Sequence, residues 1–357
     1  MFDDIYRGKR VLVTGHSGFK GSWLTLFLET LGAEVLGVAL PPETRPNHFA
    51  CLALGCRSEW RDLRDAGAVR RSIVEFRPEI VFHLAAQPLV RRSYREPAAT
   101  FAVNVMGTIN LLDGCRACES VRAVVAVTSD KCYENRERPE GYRETDPMGG
   151  FDPYSASKGC AELAIACYRR SFFSGGRLLP ASARAGNVIG GGDWAEDRLV
   201  PDLVRAAAAG EVAELRNPGS IRPFQHVLDP LSGYLALGAK LLKGEREFAE
   251  AWNFGPPEEE SLSVEAAAKL LAAAWPAFRF RCRPPEKDAP HEAGVLRLDS
   301  GKARGRLGWR PVWSAAEAFR RTAEWYRAFH EEGRTTSREV LAEYCAEAAR
   351  KELEWTK

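Results

Sequence analysis

No stretch of this 357-residue chain reaches the roughly 18 consecutive apolar residues that a membrane-spanning helix needs, and no apolar signal core precedes Val11. A cytoplasmic protein is therefore expected. Neither sign of charge dominates, because 50 Lys and Arg against 48 Asp and Glu leave a formal charge of +2. No global field points to nucleic acid or to an anionic membrane. The nine cysteines form no regular framework, and a chain of this length needs no disulfide staples, so a reducing compartment is expected. Cys115 and Cys118 make one CxxC, without a second pair or a histidine pair; they read as buried thiols, and no metal is expected. Repeats and low-complexity linkers are missing as well. The length suggests about two domains at roughly 150 residues each, and without a linker they must be interleaved.

What the chain does have begins at Val11-Leu12-Val13-Thr14-Gly15, a β-branched apolar run that stops abruptly in glycines at 15, 18 and 21. Apolar residues at helical spacing follow (Trp23, Leu24, Phe27, Leu28, Leu31) up to Gly32. A strand, a tight turn and a helix in that order present backbone N–H groups at a helix N-terminus, where a pyrophosphate is favoured. The glycines permit the turn and the close approach of a dinucleotide, so Gly15, Ser17, Gly18, Phe19, Lys20 and Gly21 are candidate cofactor residues.

A second strand over 33–40 is predicted, and after it a dinucleotide site commonly carries an acidic residue for the ribose hydroxyls. Leu40-Pro41-Pro42 stands there instead, and Arg45 either faces a 2′-phosphate or is solvated, which leaves NAD and NADP both open. Residues 60–65 close a third strand. There Asp62 and Leu63 offer a carboxylate and an apolar wall for an adenine edge, and Asp65 offers a helix cap. The fourth strand, 80–86, ends in Ala85-Ala86-Gln87, where small residues leave room for a flat cofactor; His83 within it reads as a core histidine. A helix over 98–118 carries Asn104, and a fifth strand, 121–127, ends in Thr128-Ser129-Asp130-Lys131. Alternating apolar strands and helices predict a parallel, doubly wound α/β sheet with its ligand at the C-terminal strand ends.

A polar loop over 132–152 leads to a helix over 154–170 that sets Tyr154 and Lys158 on one face. An ammonium beside a phenol lowers its pKa, so that a phenolate can accept a proton near neutral pH. A sixth strand over 178–184 runs into the glycine-rich loop 186–194. Beyond it Arg198, Arg205, Arg216 and Arg222 recur, residues suited to gripping a diphosphate bidentately or, one by one, to ordinary surface charge.

The glycine turn, the strand-five cluster and the Tyr154/Lys158 pair together resemble the extended short-chain dehydrogenase/reductase superfamily. The strings Thr14-Gly15-His16-Ser17-Gly18-Phe19-Lys20-Gly21-Ser22-Trp23, Thr128-Ser129-Asp130-Lys131-Cys132-Tyr133-Glu134-Asn135, the run 183–194 and Ile221-Arg222-Pro223-Phe224-Gln225-His226-Val227 are similar to the CDP-glucose 4,6-dehydratase family. The resemblance covers about 8–313 and says little of the last forty residues. It implies a Rossmann-type NAD-binding domain over 1–183 with a return segment near 223–254. The remaining residues, 184–357, would be mainly a smaller, interleaved substrate domain with a helical tail. NAD as cofactor, CDP-glucose as substrate and a homodimer or homotetramer follow from the same resemblance.

It further implies that Tyr154 takes the proton of the sugar C4 hydroxyl, Lys158 holds the phenolate and the nicotinamide ribose, and Ser129 bonds the C4 oxygen. Asp130 matches the acid that releases water from C6. Lys131 stands where related dehydratases have a glutamate base, and is expected either to act on C5 or to polarise the ketone. Ala85, Ala86, Gln87 and Asn104 fall on the cofactor side. Asn187, Arg198 and Arg222, with Leu199, Arg216 and His226, fall on the substrate side. A nucleotide-sugar 4-epimerase or ketoreductase shares the glycine turn and the Tyr/Lys pair, and an NAD(H)-binding regulator shares the turn. Asp130-Lys131 separates the first from a dehydratase, and the intact Ser129/Tyr154/Lys158 set argues against the second.

Overall fold

The computed structural model describes residues 1–283 and 294–357. Its centre is a seven-stranded sheet of β1 (Arg10–Thr14), β2 (Glu34–Ala39), β3 (Arg57–Trp60), β4 (Ile80–His83), β5 (Ala123–Val127), β6 (Leu179–Ala185) and β7 (Ala251–Phe254). The order is β7-β6-β5-β4-β1-β2-β3, with every pair parallel. The chain reverses its direction of winding at β1, between β2 and β4, and the crevice beyond the strand ends at that point is where such sheets take ligands.

Alternate residues of the strands feed two cores, as expected of strands covered on both faces. Val11, Val13, Phe82 and Val125 pack with Trp23, Leu24 and Phe27 of α1 (Phe19–Thr30) on one face. Leu12, Val81 and Val124 pack with Val69 and Ile73 of α2 (Ala66–Phe76) and with Leu111 and Leu112 of α3 (Gly107–Arg116) on the other. Cys115 and Cys118 are free thiols of this second core.

Three predicted elements are shorter or different in the structure. The third strand ends at Trp60, and 61–65 turn away, with Asp65 donating its N–H to the Asp62 carbonyl (3.1 Å). The fourth strand ends at His83 rather than residue 86: the Leu84 N–H still reaches the Thr14 carbonyl (3.1 Å), but Thr14 Oγ1 takes the Ala85 N–H (3.2 Å) and the ladder stops there. The long helix predicted over 98–118 is interrupted by a π-helical turn, Ala102–Met106. Asn104 in that turn is buried, accepting from the Gln87 backbone N–H (2.8 Å) and donating to the Gln87 carbonyl (3.1 Å) and Ser157 Oγ (2.9 Å). Widened turns of this kind serve to aim a side chain, here onto the segment that follows β4.

The first core continues into the C-terminal half, through α6 (Leu228–Leu242), which follows α4 (Pro153–Ser171) and α5 (Leu199–Ala208). It extends to α7 (Val264–Ala274), α8 (Ala315–Glu332) and α9 (Ser337–Arg350). The tail is anchored: Trp355 stacks on Phe2 at 5.2 Å, and Asp3 donates its N–H to the Lys357 carbonyl. Part of the expected second domain, 284–293, lies outside the described residues. Among the described residues no helix is long and apolar enough to cross a membrane.

Candidate active site

A cavity of about 1390 Å³ opens at the C-terminal strand ends and is lined by the β1–α1 turn, the segment after β4, the strand-five cluster, the first turn of α4 and residues around α5. Of the residues expected to serve catalysis, cofactor or substrate by the resemblance, all but two line it.

The turn is built for a close ligand. Gly15 has φ +74°, and a Cβ on Gly21 would lie 2.0 Å from the Gly15 carbonyl oxygen, so neither tolerates a side chain. Beside Gly18 only that carbonyl comes within 4 Å, at 3.4 Å, and α1 starts with no side-chain cap on its first-turn N–H groups. An uncapped twelve-residue helix whose glycine start opens on a cavity fits a dinucleotide pyrophosphate. Ser17 Oγ donates to the Leu40 carbonyl (2.8 Å), closing the turn against the end of β2. Asp62 and Leu63 lie on the adjoining wall, with Asp62 held by Arg64 (Nη2 to Oδ2, 2.6 Å). Arg45 is exposed outside the cavity.

At the other end Asp152 caps α4, accepting from Ser155 N–H at 2.9 Å with Pro153 in the first turn, and so fixes where Tyr154 enters. Lys158 Nζ donates to the Val127 carbonyl (3.3 Å). Burial lowers the Lys158 ammonium to about 8, against Glu162, which raises it. The same burial pushes the Tyr154 phenol up to about 12, opposed chiefly by the nearby Ser129 hydroxyl. Glu162 sits buried beneath, accepting from Ser182 Oγ (2.7 Å) and Arg184 Nη2 (2.8 Å).

Ser129 Oγ donates to Asp130 Oδ1 (3.0 Å) and accepts from Lys131 N–H (3.2 Å). Asp130 is 2 % exposed and its Oδ2 has no hydrogen-bond partner. Burial raises its carboxyl above the usual range, with Lys131, Ser129, Arg222 and Lys20 pulling it back. A buried carboxyl of this kind can be kept protonated as a donor.

Lys20, expected at the pyrophosphate, lines the cavity and reaches α6. Its ammonium lies 3.4 Å from Tyr234 Oη, and burial together with the positive charges of Lys158 and Arg198 lowers it to about 7 while Asp130 raises it. Arg198 is bound to Asp193 (2.9 Å), and Arg216 to Asp197 (2.7 Å) and Asp202 (3.5 Å). Arg222 Nη1 donates to the Ile221 carbonyl at 2.9 Å. Leu199 opens α5, and Asn187 precedes the short strand Val188–Ile189.

The two expected contacts that do not line the cavity are Asn104 and His226. Asn104 acts on Gln87, as described. His226 is 1 % exposed, lies edge-on to Trp313 (4.7 Å) and Trp23 (6.1 Å), and accepts the Leu228 N–H at Nδ1. Burial lowers it to about 3, so it is a neutral core residue. Sequence reasoning missed Arg91, which lines the cavity and approaches Asp197 at 3.7 Å; only its place just after the Gln87 segment could have marked it.

Residues 11–255 match the NAD dependent epimerase/dehydratase family. The chain is similar to a CDP-glucose 4,6-dehydratase of Salmonella typhimurium, with 49% identity over 91% of this chain and 92% of that one. Among solved structures it is similar to the UDP-glucose 4-epimerase of Thermus thermophilus in complex with NAD (TM-score 0.77, 28% identity, 89% of this chain and 99% of that one). It is also similar to DesIV, a dTDP-glucose 4,6-dehydratase of Streptomyces venezuelae solved with NAD bound (TM-score 0.77, 25% identity, 90% and 98%).

Proposed function

The chain belongs to the NAD dependent epimerase/dehydratase family, and from that premise we propose that it is a CDP-glucose 4,6-dehydratase, converting CDP-glucose to CDP-4-keto-6-deoxyglucose and water. The observation that carries this reading is the buried Asp130 carboxyl, its Oδ2 without a partner, on the wall that also holds Ser129, Tyr154 and Lys158. A 4-epimerase needs no acid at C6. A dehydratase must protonate a departing hydroxyl there.

NAD supplies the acceptor and later the donor of the hydride that moves from C4 to C6. For its binding we assign the pyrophosphate to the backbone of Gly15, Ser17, Gly18, Phe19 and Gly21, the adenosine to Asp62 and Leu63, and the inner wall to Ala85, Ala86 and Gln87. Tyr154 takes the proton of the C4 hydroxyl, Ser129 holds the C4 oxygen, and Lys158 stabilises the phenolate by charge. The 4-ketone acidifies C5–H, and Asp130 gives its proton to the C6 hydroxyl as water leaves. Lys131 serves C5, as the base or by polarising the ketone. Arg198, Arg216 and Arg222, with Asn187 and Leu199, take the cytidine diphosphate end, since arginine suits bidentate phosphate contact. Residues 1–183 with the return through α6 and β7 would form the cofactor domain, and most of 184–357 the substrate domain.

We also place the enzyme in the cytoplasm, in keeping with nine free thiols. A homodimer or homotetramer is supported by Met106 and Leu163, 50% and 58% exposed on the π-helical turn and on α4, which pack together. Exposed apolar side chains on adjoining helices mark a face for a second copy. Incubating the protein and NAD+ with CDP-, dTDP- and UDP-glucose and GDP-mannose tests the function. A 4-keto sugar is expected from CDP-glucose, and product from a non-cytidine donor alone overturns the assignment.

A further inference from the structure

In a dinucleotide-binding sheet the residue that follows the second strand selects the cofactor. A carboxylate there accepts the adenosine ribose hydroxyls and repels a 2′-phosphate, whereas an arginine nearby accommodates one. Here β2 ends at Ala39, and Leu40-Pro41-Pro42 follows along the cavity wall. None of these three side chains carries a polar atom, and neither proline has an N–H. Leu40 is fixed in place, since its carbonyl accepts from Ser17 Oγ of the glycine turn (2.8 Å).

The neighbouring strand supplies a charge at the same point. β3 runs parallel to β2 with Trp60 opposite Ala39, so the first residues beyond the two strands, Arg61 and Leu40, are neighbours. The Arg61 N–H donates to the Ala39 carbonyl (2.9 Å), and Arg61 lines the cavity with Leu40. Its side chain is 45% exposed and loosely held: Glu59 lies 3.9 Å away and already accepts from Arg57 and from Ser72 Oγ (2.6 Å). The acids on this stretch of wall are engaged elsewhere. Asp62 accepts from Arg64 Nη2 (2.6 Å) and from the Arg64 N–H (2.9 Å). Glu43, the first carboxylate beyond Leu40, takes Arg92 Nη1 on both oxygens (3.1 and 2.9 Å), and Arg92 also meets Glu96 (3.2 Å). Among the described residues of this stretch, Arg61 is the arginine without a carboxylate in hydrogen-bond range, and it stands beside the position where the discriminating acid is missing.

We propose, resting on the dinucleotide reading of this cavity and not on the sugar assigned to it, that the adenosine end admits a 2′-phosphate. The protein then binds NADP+ as well as NAD+, and Arg61 is the residue that meets the added phosphate. A guanidinium presents a fork of donors matched to phosphate oxygens. The apolar Leu40-Pro41-Pro42 run neither repels that group nor competes for the arginine. Arg45, the residue that the sequence offered for a 2′-phosphate, is exposed outside the cavity, so the assignment moves from the loop after β2 to the end of β3.

The test is displacement of bound NADH, followed by its fluorescence at fixed ionic strength, with NAD+ and NADP+ as competitors. NADP+ is expected to bind within about tenfold of NAD+. NADP+ weaker than that margin, with NAD+ binding intact, overturns the inference, and is the result if Glu43 swings in as the missing acid. Arg61→Ala is expected to weaken NADP+ roughly 10–10²-fold and NAD+ less than about threefold. Equal losses for the two dinucleotides overturn the role of Arg61. Leu40→Asp, which puts a carboxylate beside Arg61 at the end of β2, is expected to weaken NADP+ by about tenfold or more and to leave NAD+ bound. NADP+ binding unchanged in that variant overturns the placement. Adenosine 2′,5′-bisphosphate and 5′-AMP repeat the comparison without the nicotinamide end, and the same dependence on Arg61 is expected of them. A protein that binds neither NADH, NAD+ nor NADP+ defeats the dinucleotide site itself, and this inference with it.

Discussion

Trp23 Nε1 donates a hydrogen bond of 2.9 Å to the carbonyl oxygen of Gly191, joining the glycine turn's helix to a glycine loop 168 residues later. Two glycine-rich stretches that look like separate motifs in the sequence are thus one construction. Around the bond His48 stacks on Trp23 at 4.8 Å, with its ring nitrogens bonded to Ser22 and to Ser337 of α9.

At Gly191 there is no room for a side chain, since a Cβ would lie 2.0 Å from the Trp325 ring. Gly191→Ala is expected to destabilise the protein by about 1–3 kcal/mol, the usual penalty of overpacking. Thermal unfolding with and without NAD+ measures it, and an unchanged Tm contradicts the packing described.

Tyr154→Phe removes the group assigned to proton transfer and leaves the rest of the cavity wall in place. A loss on the order of 10²–10⁴-fold in turnover is expected with cofactor binding retained. Turnover assays beside NAD+ titration by protein fluorescence decide it; near-normal turnover contradicts the role.

The buried pair Arg184–Glu162, 2.8 Å apart with each side chain 4% exposed, lies under Lys158 and is bonded to the strands by Thr128 and Ser182. Removing one partner strands a buried charge, so Arg184→Met is expected to cost roughly 3–5 kcal/mol in denaturant unfolding. The double variant Arg184→Met/Glu162→Leu is expected to recover much of that loss. Equal instability of the two variants contradicts the charge argument.

Lys20 gives a pH dependence of definite sign. Its ammonium is lowered from 10.5 to about 7 by burial, so between those values the unfolded chain binds more protons than the folded one. Stability contributed through Lys20 therefore rises with pH across that window, and below it the buried charge is a full penalty. Lys20→Met, measured without added cofactor, is expected to be more stable than wild type below pH 7 and to show a flatter rise above it. A parallel pair of stability curves contradicts the placement.

The sheet was legible because its inner strands, such as β1, β4 and β5, are apolar runs between turn signals, as two covered faces require. The glycine turn, the strand-five cluster and the first turn of α4 were legible because their spacing brings them to one sheet edge. What was hidden depends on contacts far apart in sequence. A π-helical turn keeps the apolar spacing of a plain helix, so nothing local marks the break at Asn104. His226 sits within a string of which Arg222 and Phe224 line the cavity; only its packing between Trp23 and Trp313 shows that it turns into the core. Lys20 belongs to the glycine turn by position, and only its approach to Tyr234 reveals a charge close to Lys158 and Asp130. The tail helices were readable as amphipathic, but their docking through Ser337 and Trp355 was not.

The most direct measurement is the fate of a label. CDP-[4-²H]glucose is incubated with the enzyme and unlabelled NAD+, and the product is examined by NMR and mass spectrometry. Deuterium carried to C6 of a CDP-4-keto-6-deoxy sugar, with loss of one water, is the expected result. Deuterium retained at C4 of a CDP-hexose of inverted configuration, with no loss of water, identifies an epimerase and contradicts the dehydratase.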